Sequence, residues 1–172
     1  AIMALGIALL SRMTVETSYT TAVVNIVVTG FGLGVIMPLY TIAVQNAVPY
    51  SILGVATSST AFFRSMGASV GLAIFGSVMT NRFASEFVNN TPPTIKAIIP
   101  PELLASLAHD PQALVSAEAQ EQLRSLLEQT VPQGGALFEQ LLQVLRQALN
   151  SALSEVFFIG LVIVALALVV HL

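Results

Sequence analysis

Thr29-Gly30-Phe31-Gly32-Leu33-Gly34-Val35-Ile36-Met37-Pro38 lies inside a longer stretch, Thr17 to Phe63, that contains no Asp, Glu, Lys or Arg. Soluble domains carry about a quarter charged residues, which makes such a gap improbable in water. Hydrocarbon offers a peptide group no hydrogen-bond partner, so a buried apolar segment of this length is read as helix throughout. Pro49 interrupts the gap. The reading is therefore helix, tight turn, helix.

The rest of the chain agrees with that reading. Only 9% of its 172 residues are charged and 55% are hydrophobic, which predicts an all-α integral membrane protein with several spans. There is no cysteine, which excludes disulfides and thiolate metal sites. The net charge of −3 says little about partners, because most acids fall in one segment. The sequence opens on Ala1 and closes inside an apolar run at Leu172. It is read as the C-terminal part of a larger membrane protein.

Taken in order, residues 1–10 read as the end of a truncated span, with no basic residue before them to suggest a leader. Residues 20–46 form a complete span, since about 20 residues cross the hydrocarbon. Residues 54–87 form a second complete span. Residues 88–154 are extramembranous, broken by Pro92-Pro93 and Pro100-Pro101, with a helix start at Asp110-Pro111. Short amphipathic helices carry Leu104 and Leu107, then Leu123 and Leu127. A longer one presents Phe138, Leu141, Leu142, Leu145 and Leu149 at helical spacing. No breaker separates it from residues 155–172, the last span, which is also read as truncated.

Several residues stand out within these elements. Asn25 and Thr29 are costly against lipid, so they face other helices or a watery cavity. Pro38 predicts a helix kink. Arg64 and Arg82 are 18 residues apart, about 27 Å of helix and close to one hydrocarbon thickness. They are read as interface anchors whose charged ends reach the headgroups. Gly67, Gly71 and Gly76 are helix-packing positions where backbones approach closely. The Gly30/Gly32/Gly34 series lacks the spacing, strand and acid of a nucleotide loop. No residue set supports catalysis or a metal site, and no cofactor is implied.

The pattern Gly30-x-Gly32-x-Gly34-x-x-x-Pro38, Gln45-x-x-x-Pro49-x-x-x-x-Gly54 and Phe63-Arg64-x-x-Gly67-x-Ser69-x-Gly71-x-Ala73 resembles the major facilitator superfamily. More narrowly it resembles the fourteen-span drug:proton antiporters of the EmrB/QacA type. The match covers about residues 20–83, and the remainder agrees in layout only. The resemblance implies the end of span eleven followed by spans twelve to fourteen of a helix bundle in the cell membrane. It implies export of drug-like, often cationic small molecules in exchange for protons. The partners would be the lipid bilayer and the rest of the same transporter chain, with no nucleic acid. The span over residues 20–46 would line the cavity, with Asn25, Thr29, Gly32 and Tyr40 facing substrate. Residues 88–154 would be extracytoplasmic, in line with the weak positive-inside signal.

No Asp or Glu lies between Glu16 and Glu86, so the acids that couple proton movement must lie elsewhere in such a protein. A second reading comes from a different class: a helical membrane anchor or assembly subunit whose outer segment binds a partner.

Overall fold

The computed structural model describes residues 1–109, 116–130 and 133–170. Among these residues there are seven α-helices and no strand. They are α1 (Ile2–Ser11), α2 (Tyr19–Ala47), α3 (Leu53–Asn90), α4 (Pro93–Ile98), α5 (Pro101–His109), α6 (Ala117–Thr130) and α7 (Gly134–Val170). A short 3-10 turn, Tyr50–Ile52, joins α2 to α3. Among the described residues three helices have the length and hydropathy to cross a membrane: Tyr19–Ala47, Tyr50–Asn90 and Gly134–Val170.

Local chemistry sets these ends. Ser18 has extended backbone, and its hydroxyl accepts a hydrogen bond from the Thr21 N–H at 3.3 Å, which starts α2. At the other end Val48 is extended and Pro49 cannot continue the helix. Pro38 lies inside α2, which stays helical on both sides of it. Its ring removes the N–H that the Gly34 carbonyl would accept. The amphipathic residues after Gly134 and the apolar residues after Glu155 form one unbroken helix. The expected helix start at Asp110-Pro111 lies outside the described residues.

The chain divides into two compact units. One comprises residues 1–76 and 156–170, that is α1, α2, the first part of α3 and the last part of α7. Here the apolar side chains point outward. Val27, Phe31, Phe62, Leu72, Phe158 and Leu166 are all more than half exposed. The buried residues of this unit include Gly6, Leu10, Asn25 and Gly32. Water would not tolerate that pattern, whereas lipid and neighbouring membrane helices do.

The second unit, Ser77–Glu155, has the opposite pattern. Its core joins Phe83 and Phe87 of α3, Ile95 of α4, Leu104 of α5, and Leu141 and Leu145 of α7. The Phe83 and Phe87 rings stack with centroids 5.6 Å apart, and both are fully buried. Thr91 closes α3 by donating its hydroxyl hydrogen to the Phe87 carbonyl at 2.6 Å. On the surface, Arg124 pairs with Glu128 at 2.9 Å. The hydrogen bond and charge of Glu128 raise the Arg124 guanidinium above its ordinary pKa. The pair is about half exposed and adds little to stability.

This compact unit begins at Ser77, so the last turns of α3, within the span read over residues 54–87, share its core. An apolar helix face suits hydrocarbon and a protein core equally, so period alone does not tell them apart. Replacing Phe87 by alanine should cost about 3–5 kcal/mol, the usual range for a buried phenylalanine. Limited trypsin digestion in proteoliposomes checks this. Cleavage after Lys96 and Arg146 should accelerate in Phe87→Ala, while an unchanged digestion rate would contradict the core assignment.

Candidate functional site

Helix α2 is the element on which the candidate residues gather, and its faces meet different surroundings. Thr29 and Gly32 are three residues apart, close to one turn, and so lie on one side of the helix. That side packs on α1. A Cβ built on Gly6 would overlap Thr29, its backbone included. A Cβ on Gly32 would lie 2.5 Å from the Met3 nitrogen. Met3 opposes Gly32 and Gly6 opposes Thr29, so the two helices run antiparallel. Continuing the register brings Asn25 level with Leu10, and both are buried.

Two glycines therefore make the seam, one from each helix. Gly30 and Gly34 point away, with nothing within 4 Å of an added Cβ. A period of two places alternate glycines on different sides of a helix. Gly32 alone of the three is thus required by close backbone approach. The Thr29 hydroxyl donates to the Asn25 carbonyl at 2.8 Å, so this side chain satisfies its own polarity within α2.

Tyr40 stands apart from these three. It borders an open groove of about 550 Å³ between α2 and α3, together with Ile36, Met37, Thr41, Phe63 and Arg64. It also borders an apolar groove shared by Met3, Leu39, Val164 and Leu168, all of the same unit. The structure thus groups Asn25, Thr29 and Gly32 at the α1 contact and puts Tyr40 on accessible surface. Gly6 was not legible as a contact residue, because a single glycine in a short apolar run carries no partner signal.

The remaining positions separate as clearly. Gly67, Gly71 and Gly76 meet nothing within 4 Å of an added Cβ, so no described residue packs against them. Arg64 extends its Nη1 to the Met37 sulfur at 3.8 Å. Arg82 is held by two carboxylates, Glu86 at 2.9 Å and Glu155 at 3.0 Å. Glu86 is one turn away on α3, as sequence spacing allows. Glu155 comes from α7, which spacing does not reveal. Among the described residues no group of three His, Asp or Glu side chains is placed to hold a metal ion.

The chain is 31% identical over 98% of its length to the multidrug transporter protein MdtP of Bacillus subtilis, covering 31% of that protein. It is 28% identical over 96% of its length to multidrug resistance protein 3 of the same bacterium, covering 29% of it. It is 35% identical over 67% of its length to an uncharacterized MFS-type transporter of Mycobacterium tuberculosis, covering 17% of it. The chain thus spans less than a third of the length of these curated relatives. No family model and no solved structure matches the chain.

The seam makes a sharp contrast between neighbouring glycines. Gly30→Ala should be neutral or stabilise α2 by about 0.5–1 kcal/mol, through helix propensity. Gly32→Ala should cost at least the 1–3 kcal/mol typical of overpacking, because backbone rather than a flexible side chain must move. Thermal unfolding in detergent, followed by size-exclusion chromatography, measures both. Equal melting temperatures for the two variants would contradict the α1–α2 contact.

Proposed function

We propose that this chain is the C-terminal part of a multidrug transporter of the major facilitator superfamily. The observation that carries the reading is the alignment of nearly the whole chain with multidrug transporter protein MdtP. The outward-facing apolar helices support it, since a transporter chain needs such surfaces for lipid and for its other helices. The transported compounds are hydrophobic, often cationic small molecules, and the driving ion is the proton. The bundle is of the fourteen-span kind in the cell membrane, with unit Ser77–Glu155 on the extracytoplasmic side.

Transport proceeds by alternating access, in which helix bundles rock about a site near the membrane midplane. Within this chain α2 supplies the substrate-facing side. We assign Tyr40 to it, because its ring stands on accessible surface with apolar neighbours, a setting suited to a flat lipophilic cation. Asn25, Thr29 and Gly32 we assign to holding α2 against α1. Gly67, Gly71 and Gly76 serve as contact positions for helices of the longer protein. Proton coupling belongs to carboxylates beyond residues 17–85, which hold none.

Efflux of fluorescent lipophilic cations from cells expressing the full-length protein tests the assignment. Tyr40→Ala should reduce efflux several-fold for aromatic cations, while Tyr40→Phe keeps it, since the ring face makes the contact. Asn25→Ala should lower the melting temperature and leave the order of substrate preference unchanged. Wild-type efflux of every compound by Tyr40→Ala would overturn the substrate-facing role.

A further inference from the structure

Arg64 is the one charged residue between Leu53 and Gly76, the part of α3 that belongs to the first unit. It follows Leu53 by eleven residues and precedes Gly76 by twelve. At 1.5 Å per residue each end is roughly 16–18 Å away, further than an arginine side chain reaches. Headgroups of neither leaflet therefore serve it. Phe62, Phe63 and Met66 stand close to it in sequence, each more than half exposed, so its level is an apolar one. A guanidinium keeps its proton, and a charge at that depth needs an anion or water against it.

Among the described residues Arg64 makes no ion pair. Its Nη1 meets the Met37 sulfur at 3.8 Å, a weak acceptor that offsets no charge. Thr41, Thr57 and Thr60, on the hollow nearest the Pro49 turn, are uncharged. Residues 17–85 hold no Asp or Glu.

Two features point to a carboxylate rather than water. Arg64 borders the hollow assigned above to a lipophilic cation through Tyr40. A guanidinium left with water alone would repel that cation across a hollow walled largely by apolar side chains, and a carboxylate removes the repulsion. The second feature is the face of α3 on which Arg64 lies. It continues through Gly67, Ala68 and Gly71, three, four and seven residues on. A Cβ added at Gly67 or Gly71 meets nothing within 4 Å. Such short residues let a neighbouring helix come within reach of the guanidinium.

We propose that Arg64 forms an intramembrane ion pair with an aspartate or glutamate on another spanning helix of the longer protein, and that this helix packs on the Arg64–Gly67–Gly71 face of α3. The existence of that helix rests on the transporter reading above. Paired N–H donors of the guanidinium suit a carboxylate, and the positive charge keeps that carboxylate ionised. The pair leaves the wall of the hollow neutral, so that a cation enters without opposition.

Neutralising variants of the full-length protein test this through folded yield and melting temperature in detergent. Arg64→Gln should lose several-fold in folded yield, because it strands a carboxylate within the membrane. Each Asp and Glu in the other spans is then changed to Asn or Gln, alone and together with Arg64→Gln. One of these changes should restore the yield and melting temperature of Arg64→Gln, since the double variant carries neither charge. Arg64→Gln folding and melting like wild type would overturn the proposal. Failure of every acid variant to restore Arg64→Gln would overturn it too, as would restoration by added phosphatidylglycerol in place of an acid change. Both readouts are independent of transport. A wild type that folds and exports no lipophilic cation would contradict the transporter reading, while the compensation between charges still reports on the pair.

Discussion

Hydrocarbon cannot hydrogen-bond a peptide group, and most of this architecture follows from that fact. Between Thr17 and Phe63 the chain must satisfy every N–H and C=O internally, so it becomes two helices with one brief turn. The same solvent removes the incentive to bury apolar side chains. Val27, Phe31 and Leu72 stand exposed without cost, and the burial that does occur is chosen by shape. Gly6 against Thr29 and Gly32 against Met3 are contacts of that kind, where two backbones meet because neither glycine has a side chain to hold them apart.

Unit Ser77–Glu155 has the opposite pattern, with Phe83, Phe87, Leu141 and Leu145 packed into one buried core. Helices α3 and α7 contribute to both units, because residues on either side of Gly76 and of Glu155 fall in different units. Arg82, Glu86 and Glu155 form their ion pairs near these two boundaries along the chain. The pairs are half exposed, so their role is to fix geometry more than to add stability.

Much of the fold was legible because charge and period report solvent directly. The uncharged stretch gave α2 and the start of α3, the Phe138-to-Leu149 period gave the buried face of α7, and the absence of a breaker joined that face to the last apolar run. What stayed hidden depends on partners. Gly30, Gly32 and Gly34 look alike in sequence, yet only Gly32 has a backbone pressed against it. That Phe83 and Phe87 join one core with Leu141 and Leu145 was hidden, because lipid and a protein core favour the same side chains. The Arg82–Glu155 pair joins residues far apart in sequence, and no local rule reaches across that distance. The resemblance placed Tyr40 beside Asn25 and Thr29 as cavity-facing, but Thr29 lies against a helix and Tyr40 borders a groove.

The central claim is that lipid covers the exposed apolar faces of α2 and α3, and cysteine accessibility measures it most directly. The chain has no cysteine of its own. Single cysteines at Thr14, Val27, Phe31, Tyr50 and Leu72 in a cysteine-free full-length background, treated with a membrane-impermeant maleimide in open membranes, give the readout. The account predicts rapid labelling at Thr14 and Tyr50 and almost none at Val27, Phe31 and Leu72, although all five side chains are exposed in the fold. Labelling of Val27 and Phe31 as fast as Thr14 would put water where the account puts lipid, and would contradict it.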